Sequence, residues 1–180
     1  AAAFEHALGR PANPTELSLL ASFGDPIAEL LPEYPDVIVS TTFSTAHGLQ
    51  GLRVGYAVAD PRLIETVDKT LLPFAVNALA QAAALAALDN EAAITARVQA
   101  ILAERARVEV ELAAAGWTIP NHQGNFVWLA TADRTDPIAL ELERQGVVIR
   151  PFSDEGIRVT IGSPSENVRF LASLAEIAQP

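Results

Sequence analysis

Four acceptor–proline pairs divide the chain and limit how it can fold. An Asp or Ser side chain accepts hydrogen bonds from the first turn of a helix, and a proline directly after it fits the first helical position. The pairs are Asp25-Pro26, Asp60-Pro61, Asp136-Pro137 and Ser163-Pro164. Glu166, three residues after Ser163, completes a capping box. The chain is therefore expected to contain several helices separated by other structure.

Short apolar stretches lie between these helix starts, next to Gly, Pro and Asp turn residues. The predicted strands are Val37–Ser40, Leu52–Ala59, Asn125–Ala130, Val147–Arg150 and Ile157–Ile161. The predicted helices are Pro61–Lys69, Val76–Leu88, Ala92–Ala115, Pro137–Arg144 and Pro164–Ala178, the longest of them stopped by Gly116. This alternation predicts an α/β fold. We expect two lobes, residues 1–91 and 92–180, and the first 24 residues carry signals too weak to place.

The composition supports a buried core but gives a strongly acidic protein. Half of the 180 residues are hydrophobic, which argues against disorder. Twelve Lys and Arg against 22 Asp and Glu give a net charge of −10, so nucleic-acid binding is not expected. The absence of Cys excludes disulfides and thiolate zinc, and three scattered His argue against a metal site. The most apolar stretch, Phe74–Leu88, is too short to span a membrane, so we expect a cytoplasmic protein.

The segment from Ser40 to Tyr56 carries the clearest chemical pattern. Hydroxyl side chains at Thr42 and Ser44 follow a predicted strand, and Arg53 precedes the next one. Hydroxyl donors and a guanidinium suit a bound anion. Judged by spacing alone, a solvated turn is the more common explanation of such a loop.

The same segment resembles the fold-type I pyridoxal-phosphate aminotransferases, most closely the histidinol-phosphate and aromatic amino acid branch. The resemblance covers roughly residues 25–180. It continues in order through Leu72–Ala84, Glu104–Arg107, Gly124–Leu129, Val147–Pro151 and Gly156–Gly162. It implies the rear of a large α/β cofactor domain followed by a small α/β C-terminal lobe. It also implies amino-group transfer from an amino acid to 2-oxoglutarate with pyridoxal 5′-phosphate, in a homodimer or with a complementary N-terminal segment.

The resemblance assigns roles to individual residues. Thr42, Ser44 and Arg53 match positions that bind the cofactor phosphate, and Arg158 matches the arginine that binds the substrate α-carboxylate. Asn125 lies near that carboxylate site in the family, although a turn at the end of a strand explains it equally well. The alternative for Arg158 is an ion pair with Asp154 or Glu155.

Two departures from the family pattern bear on activity. Thr45 occupies the position of the lysine that attaches the cofactor, and a hydroxyl cannot form that bond or shuttle the proton. The only lysine, Lys69, lies where the family has no catalytic group. The family's glycine-rich phosphate turn and ring-stacking aromatic are not found in residues 1–35. We therefore expect no covalent cofactor and no activity in this truncated form; the alternative is a non-catalytic binding or assembly module.

The histidines are expected to have structural roles. His47 stands where the family usually has an aromatic residue, so we expect it to fill that position partly buried. His122 follows the Pro120-Asn121 turn and is expected at the surface.

Overall fold

The computed structural model describes residues 34–177, and these form two compact units. Residues up to Thr95 belong to the first unit and residues from Ala96 to the second. The predicted helix start at Asp25-Pro26 and the unplaced first 24 residues lie outside the described residues. Within residues 34–177 no helix is both long and apolar enough to cross a membrane.

The first unit contains a two-stranded antiparallel sheet and two helices. Its elements are β1 (Val39–Thr42), a 3₁₀ turn (Gln50–Leu52), β2 (Gly55–Val58), α1 (Pro61–Asp68) and α2 (Ala78–Leu88). The register pairs Val39 with Val58 and Thr42 with Gly55. The small core consists of Phe43, Val54, Ala80, Ala84 and Leu88.

Local signals place the start of α1 and the end of α2 correctly but misplace other boundaries of this unit; the helix predicted from Val76 begins at Ala78. The predicted start at Asp60-Pro61 is confirmed, because the Asp60 Oδ1 accepts the Arg62 N–H at 2.9 Å. The strand predicted over Leu52–Ala59 is wrong at its start, since the 3₁₀ turn occupies residue 52 and Arg53 has left-handed backbone, φ 54°. The strand predicted at Val37–Ser40 lies two residues later, as β1.

The long helix α3 (Glu91–Ala114) spans the boundary between the units, and glycine ends it as predicted. Gly116 has φ 93°. Its N–H donates to the Ala113 carbonyl and the Trp117 N–H donates to the Leu112 carbonyl, both at 3.0 Å. This pair of bonds closes a helix through a left-handed residue, which glycine adopts without strain.

The second unit packs helices on a three-stranded antiparallel sheet. Its elements after α3 are β3 (Phe126–Ala130), a 3₁₀ turn (Ala132–Arg134), α4 (Thr135–Arg144), β4 (Arg150–Phe152), β5 (Gly156–Thr160) and α5 (Pro164–Ile177). The strand order is β3-β5-β4, with β5 in the centre. Residues from α3, β3, β5, α4 and α5 form the core, among them Leu112, Leu129, Leu142, Ile157 and Leu174.

The capping box at α5 is confirmed. The Ser163 N–H donates to the Glu166 Oε2 at 2.7 Å, and the Glu166 N–H donates to the Ser163 Oγ at 3.4 Å. Both bonds satisfy backbone N–H groups that a helix start leaves without partners.

Two other sequence predictions in this unit are wrong. The helix predicted to begin after Asp136 begins at Thr135, and the Asp136 carboxylate accepts the Ser153 hydroxyl at 2.9 Å instead of capping. The strand predicted at Val147–Arg150 runs instead from Arg150 to Phe152. Val147 lies just after α4 and closes its last turn, because its N–H donates to the Leu142 carbonyl at 2.8 Å.

Candidate functional site

A cleft in the first unit brings together the three residues that sequence analysis assigned to an anion. Its volume is about 760 Å³, and Thr42, Ser44 and Arg53 all line it. The apolar part of the lining comes largely from α1 and the segment that follows it: Ile64, Val67, Leu71, Leu72, Phe74, Ala75 and Val76. Hydroxyl and guanidinium donors beside an apolar wall suit a ligand with a phosphate and a ring.

The turn after β1 is anchored by Phe43, which points into the core. Phe43 is buried, its N–H donates to the Val54 carbonyl at 3.1 Å, and its carbonyl accepts the Leu49 N–H at 2.9 Å. Because Phe43 is fixed in this way, Thr42 and Ser44 on either side of it reach the cleft. The Thr42 Oγ1 accepts the Ser44 N–H at 3.0 Å, which holds the turn together.

Arg53 is held by the backbone rather than by a carboxylate. Its Nη1 donates to the Gln50 carbonyl at 2.7 Å, across the 3₁₀ turn. Within residues 34–177 no carboxylate forms an ion pair with it. The rest of the guanidinium can therefore donate to an anion in the cleft.

These residues fit the phosphate end of pyridoxal phosphate but offer no amine for attachment. Thr45 lies next to Ser44 in the same turn and is exposed. Lys69 is exposed at the C-terminal cap of α1. His47 fills its position as expected, half-buried with its ring 4.6 Å from that of Phe43.

The second unit places Arg158 in the centre of its sheet. The register sets it opposite Trp128 on β3 and Arg150 on β4, so these side chains share a face. The Arg158 guanidinium carbon lies 5.4 Å from the Phe126 ring centroid. Among the described residues Arg158 has no carboxylate partner, so the alternative pairing with Asp154 or Glu155 is not formed.

Asn125 and His122 lie on the approach to β3. The Asn125 carbonyl accepts the Ile161 N–H at 2.9 Å, extending the pairing of β3 and β5 by one bond. The prediction that His122 lies at the surface is wrong: it is half-buried and stacks on Phe126, with ring centroids 4.6 Å apart. Sequence reasoning also missed Phe126, although it lies two residues before Trp128 on the same strand and therefore faces the same side of the sheet.

A polar network fixes the end of the strand that carries Arg158. Asn167, which is 3% exposed, accepts the Gly162 N–H and donates to the Gly162 carbonyl and the Glu104 carboxylate, all at 3.0 Å. Arg107 donates to both Glu104 oxygens, at 2.5 and 3.0 Å. The hydrogen bonds from Arg107, and to a smaller extent the one from Asn167, lower the pKa of Glu104 to about 2. The hydrogen bonds and ion pair with Glu104 in turn raise the pKa of Arg107.

Comparison with known proteins identifies the class to which this architecture belongs. The family model "Aminotransferase class I and II" matches residues 15–174. The chain therefore belongs to the class I and II aminotransferase family, and the resemblance to the fold-type I enzymes is confirmed.

Individual relatives agree with this assignment. The aromatic amino acid aminotransferase of Mycolicibacterium smegmatis is 47% identical over 142 residues, 79% of this chain and 39% of that protein. That of Thermobifida fusca is 47% identical over 143 residues, 79% of this chain and 40% of that protein. A solved histidinol-phosphate aminotransferase from Sinorhizobium meliloti, in complex with pyridoxal-5′-phosphate, matches with a TM-score of 0.71 and 29% identity, over 79% of this chain and 41% of that one. The chain thus spans about two fifths of the length of these relatives.

Proposed function

We propose that this chain is part of a pyridoxal-phosphate-dependent aminotransferase that passes the amino group of an aromatic amino acid or histidinol phosphate to 2-oxoglutarate. Residues 1–91 would belong to its cofactor domain and residues 92–180 to its small domain, in the cytoplasm. The observation that carries the proposal is the shared cleft of Thr42, Ser44 and Arg53. The likeness to aromatic amino acid and histidinol-phosphate aminotransferases supports the substrate class.

The residues of the first unit would hold the cofactor by its phosphate. Arg53 supplies a fixed positive charge, and the Thr42 and Ser44 hydroxyls donate to phosphate oxygens. When bound, the cofactor supplies the electron sink for chemistry at the substrate Cα. Partly buried apolar side chains of the lining, such as Ile64 and Val76, would contact the bound ring.

The second unit would bind the substrate carboxylate. The planar guanidinium of Arg158 can donate two parallel hydrogen bonds to a carboxylate. With no carboxylate partner among the described residues, it keeps these donors for a ligand. Asn125 lies one residue before the strand that pairs with Arg158, and we assign it to the same substrate site.

Pyridoxamine 5′-phosphate tests the phosphate site without adventitious adducts, because its amine cannot condense with Lys69. We expect it to bind at least tenfold more tightly than pyridoxamine, which lacks the phosphate. Arg53→Gln should weaken binding by about tenfold to a hundredfold, the usual range for a hydrogen bond to a charged group. The matched control is Arg62→Gln, an exposed arginine in the same unit. Equal affinities of the two variants would refute the phosphate site.

Thr45 has no amine, so the carbon–nitrogen bond that attaches the cofactor cannot form at that position. Borohydride reduction with pyridoxal phosphate, followed by peptide mapping, should therefore give no adduct on residue 45. Thr45→Lys alone should not create turnover, whereas Thr45→Lys together with the family's N-terminal half in trans should. An adduct on Lys69 that supports turnover would contradict this proposal.

A second candidate function is a non-catalytic binding or assembly module derived from the same fold. The exposed hydroxyl of Thr45, in place of an amine, beside the donors Thr42, Ser44 and Arg53 favours it. If Thr45→Lys with the N-terminal half gives no transamination while pyridoxamine 5′-phosphate still binds, this second function is supported.

We also propose self-association as a homodimer, or pairing with the complementary N-terminal segment. Exposed apolar side chains follow α1, with Leu72 at 77% and Phe74 at 98% exposure. Leu71 is exposed as well, and contiguous exposed apolar surface commonly marks an interaction site. Light scattering over a dilution series should show an average molar mass that decreases as the protein is diluted. The mass of a monomer at every concentration would contradict self-association.

A further inference from the structure

The Arg158 side chain is supported by an aromatic ring instead of an anion. Phe126 lies diagonally across from it on the neighbouring strand, because the register pairs Phe126 with Thr160 and Trp128 with Arg158. The Arg158 Nε is buried and has no hydrogen-bond partner among the described residues. A guanidinium over a ring face is attracted by the negative charge of the π system. This contact orients the side chain while using none of its N–H donors.

The Phe126 ring is itself held by the turn that precedes β3. The His122 ring is nearly parallel to it, at an interplanar angle of 12°. The His122 Nδ1 accepts the Gly124 N–H at 3.0 Å, which fixes the orientation of the imidazole. A Cβ on residue 124 would lie 2.4 Å from Phe126 Cε1, so only glycine lets the ring approach the backbone so closely.

Helix α3 also holds this turn. The Arg105 Nη1 donates to the Gly124 carbonyl at 2.6 Å, and the Arg105 Nε lies 3.3 Å from the Glu109 Oε1. The ring therefore rests on a backbone segment that is tied at both its N–H and its carbonyl. Because the Phe126 ring is already held in place, it loses little further conformational entropy when it contacts the Arg158 guanidinium.

We propose that Phe126, held by His122 and the Gly124 turn, is a positioning residue that orients the Arg158 guanidinium toward a ligand carboxylate. The inference rests on the proposed carboxylate role of Arg158. Because the Arg158 guanidinium is already oriented, less side-chain entropy is lost on binding, which makes the carboxylate contact tighter. The ligand class is a carboxylate, and Phe126 acts on it through Arg158.

The first test follows Arg158 itself in the full chain, without a ligand. Nitrogen–proton NMR spectra should show an Arg158 Nε–H signal that exchanges slowly with water, since this atom is buried. Phe126→Leu, which keeps an apolar side chain but removes the ring face, should make this signal exchange at least fivefold faster. Phe126→Tyr keeps the ring and should restore slow exchange. Equal exchange in Phe126→Leu and Phe126→Tyr would overturn the proposal.

The second test measures carboxylate affinity with 3-phenylpropionate, using neutral 3-phenylpropionamide as the control ligand. Phe126→Leu should weaken 3-phenylpropionate binding by about two- to fivefold, the range of an exposed cation–π contact. Phe126→Tyr should bind like the wild type. His122→Ala, which frees the ring while leaving Phe126 in place, should weaken binding in the same direction.

The variants separate failure of this inference from failure of the proposed function. If Arg158→Gln leaves 3-phenylpropionate affinity unchanged, the carboxylate role of Arg158 is wrong. If Arg158→Gln abolishes binding but Phe126→Leu and His122→Ala do not weaken it, the carboxylate role stands and the positioning role is overturned. Loss of 3-phenylpropionamide binding in parallel with 3-phenylpropionate would assign Phe126 to apolar contact and also overturn it.

Discussion

Replacement of Asn167 tests how strongly the end of β5 is held. Its amide makes three hydrogen bonds, two with Gly162 and one with Glu104, and it is almost fully buried. A buried hydrogen bond contributes about 1 kcal/mol net, and partners left without a bond add a desolvation cost. Asn167→Ala should therefore lower the free energy of unfolding of the second unit by about 2–4 kcal/mol.

Asn167→Asp separates hydrogen bonding from charge at the same position. The carboxylate can still accept the Gly162 N–H, but it cannot donate to Glu104 and places a second negative charge beside it. At pH 7 this variant should be at least as unstable as Asn167→Ala. Below about pH 4 one carboxyl of the pair takes up a proton, so Asn167→Asp should regain stability relative to Asn167→Ala.

Urea unfolding followed by tryptophan fluorescence measures this effect. Both tryptophans, Trp117 and Trp128, lie in the second unit, so the signal reports on that unit alone. Asn121→Ala, at an exposed position, is the matched control and should change stability by less than about 0.5 kcal/mol. If Asn167→Ala is equally neutral, the reasoning from its hydrogen bonds is refuted.

Three further perturbations give defined outcomes. The pKa of Glu104 is lowered from 4.5 to about 2 in the folded chain, so its stabilising contribution is complete above about pH 4.5 and is lost as the pH falls toward 2. In Glu104→Gln the free energy of unfolding in urea should therefore vary less with pH over that interval than in the wild type. An unchanged pH profile would contradict this. Gly156→Ala should cost about 1–3 kcal/mol, because the new Cβ would lie 2.4 Å from the Leu129 carbonyl oxygen. Gly51→Ala, with nothing within 4 Å of the new Cβ, should be neutral; calorimetric thermal unfolding, which detects both units, measures the two variants. Ser163→Ala should lower stability by about 1 kcal/mol through loss of the α5 cap, and restoration by Ser163→Thr would distinguish capping from packing.

Local signals in the sequence predicted the ends of helices well where all the residues of the capping motif lie within about one turn of the chain. The caps at Asp60 and Ser163 and the stop at Gly116 need only residues within a few positions of one another. The start predicted after Asp136 failed because longer-range contacts compete for the same groups. Asp136 bonds to Ser153, 17 residues away, while the buried Thr135 hydroxyl pairs with Thr131 at 2.8 Å.

Sequence alone also determined the family, the residue types of the proposed phosphate site and the absence of an amine at Thr45, because these depend only on which residues occur in which order. The tertiary structure decided what they can contact. The cleft exists because strand pairing brings Thr42 opposite Gly55, two residues from Arg53. Arg158 rests on Phe126, 32 residues earlier, because the β3–β5 register sets them on one face. Register is a collective result of strand pairing and core packing, and no local stretch of sequence contains it.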